Sequence, residues 1–156
     1  MTTKKPDRKR MKSAARLYAV QALFQMEQSG QEVDAVRREF LDHRFGAELP
    51  DGETMVDGDV DLFTDLTENA VVWQAKVDQM TDRALVAKWP IARIDTTLRA
   101  LFRVAGAELA AMDTPPKVVI TEYLAVADAF FPDGKEPRFV NAVLDHMARE
   151  ARPDAF

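Results

Sequence analysis

Residues 98–112 read LRALFRVAGAELAAM. Leu98, Leu101, Phe102, Ala105, Leu109 and Met112 fall at i, i+3, i+4, i+7, i+11 and i+14, which places them on one face of an α-helix. Gly106 within the stripe marks close helix packing more readily than a ligand contact. Asp113-Thr114-Pro115-Pro116 then reads as a stop and restart, with Thr114 as N-cap and Pro115 as the first helical residue. The following helix is apolar on a broad front (Val118, Val119, Ile120, Tyr123, Leu124, Val126, Ala127, Phe130, Phe131). It is expected to be the central, most buried one.

The same period runs outward in both directions. Pro132-Asp133-Gly134 ends that helix, and a last one turns Val140, Val143, Leu144 and Met147 inward. Upstream, Leu62, Leu66, Ala70, Trp73 and Val77 form a continuous stripe. Thr81 or Asp82 is expected to cap a further short helix that ends near Trp89-Pro90. Val33, Val36, Phe40 and Leu41 predict a helix after Gly30. The first helix carries Ala15, Ala19, Ala22 and Met26, widened by Val20, Leu23 and Phe24, and stops at Gly30. Between these, residues 46–61 hold Gly46, Pro50, Gly52 and Gly58 with six acids and no base, the composition of a mobile acidic loop. No strand pattern competes, so the fold is read as all-α. With 156 residues, the chain allows one domain, or two small subdomains sharing a core.

Charge is divided unevenly. The first sixteen residues hold seven of the twenty-one bases (Lys4, Lys5, Arg8, Lys9, Arg10, Lys12 and Arg16) against Asp7 alone, a net +6. The remaining 140 residues carry fourteen bases and twenty-five acids, a net −11. A basic segment ahead of an acidic body grips polyanion locally and repels it elsewhere; a merely solubilising N-terminus is the bland alternative. Lys9, Lys12 and Arg16 lie at i, i+3 and i+7, so a helix stacks them along one side. Its crowded first turns are expected to be frayed until an anion arrives.

Catalytic chemistry is thin. His43 and His146 have no metal-ligand spacing and read as surface or interhelix residues. The glycines form neither a dinucleotide fingerprint nor a P-loop, and no nucleophile elbow or zinc helix motif occurs. No pair of acids stands out as a buried couple. Without cysteine, disulfides and thiolate metal sites are excluded. No enzyme, metal or cofactor is therefore expected. Nothing is long or apolar enough to span a bilayer and no signal-peptide h-region follows the charged N-terminus, so a soluble cytoplasmic protein is expected. At the other end, Arg138, Asn141 and Asp145 form a polar stripe at i, i+3 and i+7. Asn141 can bond a neighbouring loop or helix end. Alternatively it reads a base edge, with Phe139 under a base face and Arg138 on phosphate, the three contact types of single-stranded RNA recognition.

The basic N-terminus leading into AARLYAVQALFQME, the central LRALFRVAGAEL, the connection DTPPKVVITE and the final RFVNAVLDHMAR together resemble the NusB family of bacterial transcription antitermination factors. The resemblance covers about three-quarters of the chain, in the family's order. It implies a compact bundle of about seven helices in two three-helix-type subdomains: a flexible basic arm at 1–8, then a helical domain at 9–152 with halves 9–80 and 81–152. It also implies binding to the boxA element of nascent ribosomal RNA jointly with NusE, a small-subunit ribosomal protein, within the transcription elongation complex. Carried over by position, the arginine-rich motif maps to Arg8, Lys9, Arg10, Lys12 and Arg16, and further RNA contacts to Arg103, Lys117, Phe139 and Asn141. Phe24, where the family often has tyrosine, maps to the NusE-facing surface. Thr121, Ala142 and Ala107 depart from the family's asparagine, glycine and aromatic residue, and the acidic loop is longer. A NusB-like domain also fronts a ribosomal RNA cytosine methyltransferase; an end at Phe156 leaves no room for a catalytic domain and favours the free-standing factor. The competing reading is a non-catalytic helical interaction module whose arm contacts acidic proteins. The two differ in whether Arg138–Asn141 lies beside Arg16.

Overall fold

The computed structural model describes residues 7–46, 57–85 and 94–156. Among them are seven α-helices and no strand: α1 (Arg8–Ser29), α2 (Val33–His43), α3 (Val60–Val72), α4 (Gln74–Ala84), α5 (Thr96–Ala111), α6 (Pro116–Phe130) and α7 (Glu136–Ala151), followed by a 3-10 turn at Pro153–Ala155. None of these helices is long and apolar enough to cross a membrane.

Local chemistry starts and stops them. Asp7 caps α1 by accepting the Lys9 amide at 3.0 Å, so Arg8 belongs to the helix and not to a free arm. Gly30 ends α1 at φ 74°, its amide bonded to the Met26 carbonyl. An alanine there would meet no atom within 4 Å but would carry the left-handed backbone penalty of about 1–2 kcal/mol. Asp59 caps α3 by accepting from Leu62 at 2.9 Å, while its own amide donates to the Met11 carbonyl at 3.0 Å. That bond ties the start of α3 to the first turn of α1. Asp95 caps α5 through the Thr97 amide at 2.8 Å.

The architecture is a ring around an axle. α1, α3, α4, α7 and α6 all pack on α5 and follow one another around it, while α2 lies outside on α1 and α3. α5, not α6, is therefore the central helix: all its residues from Val104 to Leu109 are buried. The breadth of the apolar front on α6 is misleading because that helix packs on α1, α5 and α7 but keeps an outer face, where Val118 stays 42% exposed. A single core runs through the molecule, with Tyr18, Phe40, Phe45 and Phe63 gathered at one side; Tyr18 and Phe45 rings lie 4.9 Å apart and Phe40 and Phe63 rings 5.8 Å.

Several boundaries differ from those expected. The stripe from Leu62 to Val77 is broken at Trp73 (φ −97°, ψ 7°), which separates α3 from α4. Thr81 and Asp82 lie inside α4 and not at its start, and the buried Thr81 hydroxyl donates to the Val77 carbonyl. α6 starts one residue late, with Pro115 at its N-cap and Pro116 as its first residue. α3 begins at Val60, inside the stretch expected as acidic loop, and Gly58 is buried against Phe45 and Tyr18. Most of that loop (47–56), the first residues of the expected arm (1–6) and the expected helix end at Trp89-Pro90 lie outside the described residues. The expected division at 80/81 falls within α4.

Candidate nucleic-acid interface

α5 runs antiparallel to α1, pairing Arg99 with Glu27 near one end and Glu108 with Arg16 near the other. α6 then returns alongside α1 and brings its first turn to the basic end of α1. There an open groove of about 490 Å³ is lined by Arg8, Lys9, Lys12 and, at its floor, Arg16 from α1, Leu62 from α3, and Thr114, Pro115, Val118 and Glu122 from the α5–α6 connection and α6. Arg8, Lys9, Arg10 and Lys12 are exposed, and no ion pair holds any of them among the described residues. Arg10 points to a second, smaller groove on the other side of Glu122, with Ser13, Ala14 and Ala125. Lys117 is exposed in the first turn of α6. No side chain caps that turn, so its amide dipoles add to the positive potential of the groove.

Arg16 is the first correction. Expected on phosphate, it is 5% exposed and turned into the bundle. Its Nε donates to Glu108 Oε1 at 3.0 Å and its Nη2 to Oε2 at 2.8 Å, a bidentate fork, while Nη1 lies 3.6 Å from Glu122. Glu108 is wholly buried and also accepts the Tyr123 hydroxyl at 2.8 Å. Ser13 donates to Glu122 at 2.9 Å. Burial pushes the Glu108 carboxyl up, but the hydrogen bond and charge of Arg16 outweigh it and hold the group below its usual range. Burial and the Glu108 charge together hold the Tyr123 hydroxyl well above its ordinary value. A buried ion pair thus joins α1 to α5, a contact not foreseen from the sequence. Its signal in the sequence was Glu108, the only charge between Val104 and Met112.

The remaining candidates are dispersed. Arg103 is bound to Asp78 of α4, Nη2 to Oδ2 at 2.9 Å, with Glu27 of α1 3.8 Å from Nη1; its charge is already matched, contrary to a free phosphate contact. Arg138 and Asn141 are exposed at the start of α7. Phe139 is half-buried, its ring edge-on to Phe102 with centroids 6.1 Å apart, so it is no freestanding platform. α6 lies between α1 and α7, and Asn141 precedes the groove end of α7 by eleven residues, roughly 16 Å of helix. Arg138–Asn141 therefore does not adjoin Arg16; the two form no contiguous bipartite site, and the RNA reading loses that support and rests on the α1 groove and the family. Phe24 is half-buried in a separate groove of about 440 Å³, with Gln21, Gln25, Arg44 and Phe130 among its walls. His43 and His146 are exposed, and no cluster of metal-ligating side chains occurs among the described residues.

Fold and groove define an all-helical protein in which four exposed cations, Arg8, Lys9, Arg10 and Lys12, cluster at the N-terminal end of one helix. The NusB family model matches residues 13–149. The transcription antitermination protein NusB of Maricaulis maris is 50% identical over 153 residues, covering 96% of this chain and 93% of its own. That of Caulobacter vibrioides is 46% identical over 142 residues, covering 90% and 94%. Among solved structures, NusB of T. maritima superposes with a TM-score of 0.72 at 26% identity, over 98% of this chain and 99% of its own. A crystal structure of antitermination factors NusB and NusE in complex with dsRNA superposes with a TM-score of 0.73 at 20% identity, over 90% and 98%. The chain belongs to the NusB family.

Proposed function

We propose that this protein is a cytoplasmic, non-catalytic transcription antitermination factor that binds single-stranded boxA RNA of ribosomal RNA operons together with NusE, in the elongation complex. The carrying observation is the groove in which Arg8, Lys9 and Lys12, which form no ion pair among the described residues, face the uncapped first turn of α6. Arg8, Lys9, Arg10, Lys12 and Lys117 hold phosphates and set the affinity, since such contacts carry no sequence information. Arg138, Asn141 and the exposed part of Phe139 form a second contact across α6, where an amide can read a base edge. Antitermination proteins among the relatives, and NusE and RNA bound to a structural neighbour of the same fold, support this reading.

The acidic body repels phosphate within about 8 Å, the Debye length at physiological salt. A basic ribosomal protein seated at the Phe24 groove would reverse that field. The test is a four-edged titration of boxA-like and scrambled RNA, with NusE absent and saturating. NusE is expected to raise boxA affinity, and RNA to raise NusE affinity by the same factor, a coupling of about 1–3 kcal/mol. Phe24→Ala should weaken NusE binding and spare NusE-free RNA binding. Equal RNA affinity with and without NusE would end the adaptor reading.

A further inference from the structure

Arg152 follows α7 and lies three residues beyond the segment that the family model matches. Its Nε donates to the Leu109 carbonyl at 2.7 Å, Nη1 to the Thr114 carbonyl at 3.0 Å, and Nη2 to the carbonyls of Glu108, at 3.3 Å, and Met112. Glu108 and Leu109 belong to the last turn of α5, whose terminal carbonyls have no partner within the helix. A cation there also complements the negative end of the helix dipole. Met112 and Thr114 belong to the connection that leads into α6. One guanidinium from the C-terminus therefore holds both the end of α5 and the path of the chain beyond it.

That path is a wall of the basic groove, where Thr114 and Pro115 face Arg8, Lys9 and Lys12. Glu108 is gripped from two sides, its carbonyl by Arg152 and its carboxylate by Arg16. We propose that Arg152 is a positioning residue for the RNA groove: by clamping residues 108–114 from the end of α7 it sets the wall opposite the α1 cations without lining the groove itself. The inference rests on the groove being the RNA site.

The experiment compares wild type, Arg152→Ala, Arg152→Lys and Gly30→Ala. Gly30→Ala is a backbone-strain control at the far end of α1. Affinity for a boxA-like RNA oligonucleotide and amide exchange at Val118 and Val119, which donate to the Pro115 carbonyl, are measured where circular dichroism finds every variant folded. Arg152→Ala should weaken RNA binding about two- to thirtyfold, the range for residues coupled to a site they do not touch, and speed exchange at both amides. Lysine keeps the charge but lacks the planar fork, so Arg152→Lys should recover only part of the affinity. Gly30→Ala should bind as wild type does. Wild-type affinity in Arg152→Ala, or losses in all variants that simply track their melting temperatures, would overturn the positioning role. Wild type that fails to bind RNA at all would instead overturn the proposed function, and this inference with it.

Discussion

Arg16 illustrates how one side chain changes meaning between a helical wheel and a folded bundle. Its spacing from Lys9 and Lys12 is that of a phosphate contact, yet α5 presents Glu108 to it and α6 presents Glu122. A buried ion pair contributes little net stability against a hydrophobic replacement, whereas removing one partner strands the other charge at about 3–5 kcal/mol. Arg16→Met is therefore expected to lose about that much in urea denaturation, and Arg16→Met/Glu108→Met to regain most of it. The pair also sets a pH dependence. Because Glu108 has its folded value lowered, its contribution is complete above the ordinary glutamate value of about 4.3. It disappears as pH falls through the depressed folded value. Thermal melts of wild type should fall more steeply in that acid range than those of the double variant; parallel curves would show that the pair does not titrate with folding.

Among the helices, the packing of α4 on α5 depends on the absence of a side chain. A Cβ at Gly106 would lie 2.3 Å from Val77 Cγ1 and 2.9 Å from Met147 Cε. Gly106→Ala should thus cost about 1–3 kcal/mol by overpacking, despite alanine's better helix propensity. Val77→Ala in the same chain should return part of that loss, because it removes the nearer obstacle. The cycle is read in urea midpoints, and strict additivity of the two changes would refute the contact. The break at Trp73 belongs to the same story: it divides α3 from α4 and so frees Val77 to meet α5 at its own angle. A continuous stripe from Leu62 to Val77 contains no sign of this, since the period is uninterrupted.

For the assembled protein, charge distribution governs the expected behaviour. Four exposed α1 cations, Arg8, Lys9, Arg10 and Lys12, replace the set that included Arg16. With about four phosphate contacts to a single strand, the slope of log K against log salt should be roughly −3. Removing residues 1–10 should flatten the slope and weaken cognate and scrambled RNA alike, while Asn141→Ala should weaken cognate RNA more, by about 1–3 kcal/mol if the amide makes a bidentate base contact. A salt-independent affinity in the intact protein would show that the arm does not supply the binding energy.

Helical character, the inward faces of α2, α5 and α7, the Gly30 stop and the basic end of α1 could all be read along the chain, because each depends on neighbours within one or two turns. The close packing at Gly106 was legible for the same reason: a glycine in a strong apolar stripe has few other uses. Which helix would be the axle was not legible. α6 is more uniformly apolar than α5, but centrality depends on how many partners surround a helix, and that is decided by the path of the loops. Nor could spacing reveal that Arg16 would be paired ninety-two residues away in sequence, or that Arg152 would close on the end of α5. Local periodicity says which face a residue occupies; only the docking of distant helices determines whether that face meets water, a carboxylate or a row of unpaired carbonyls.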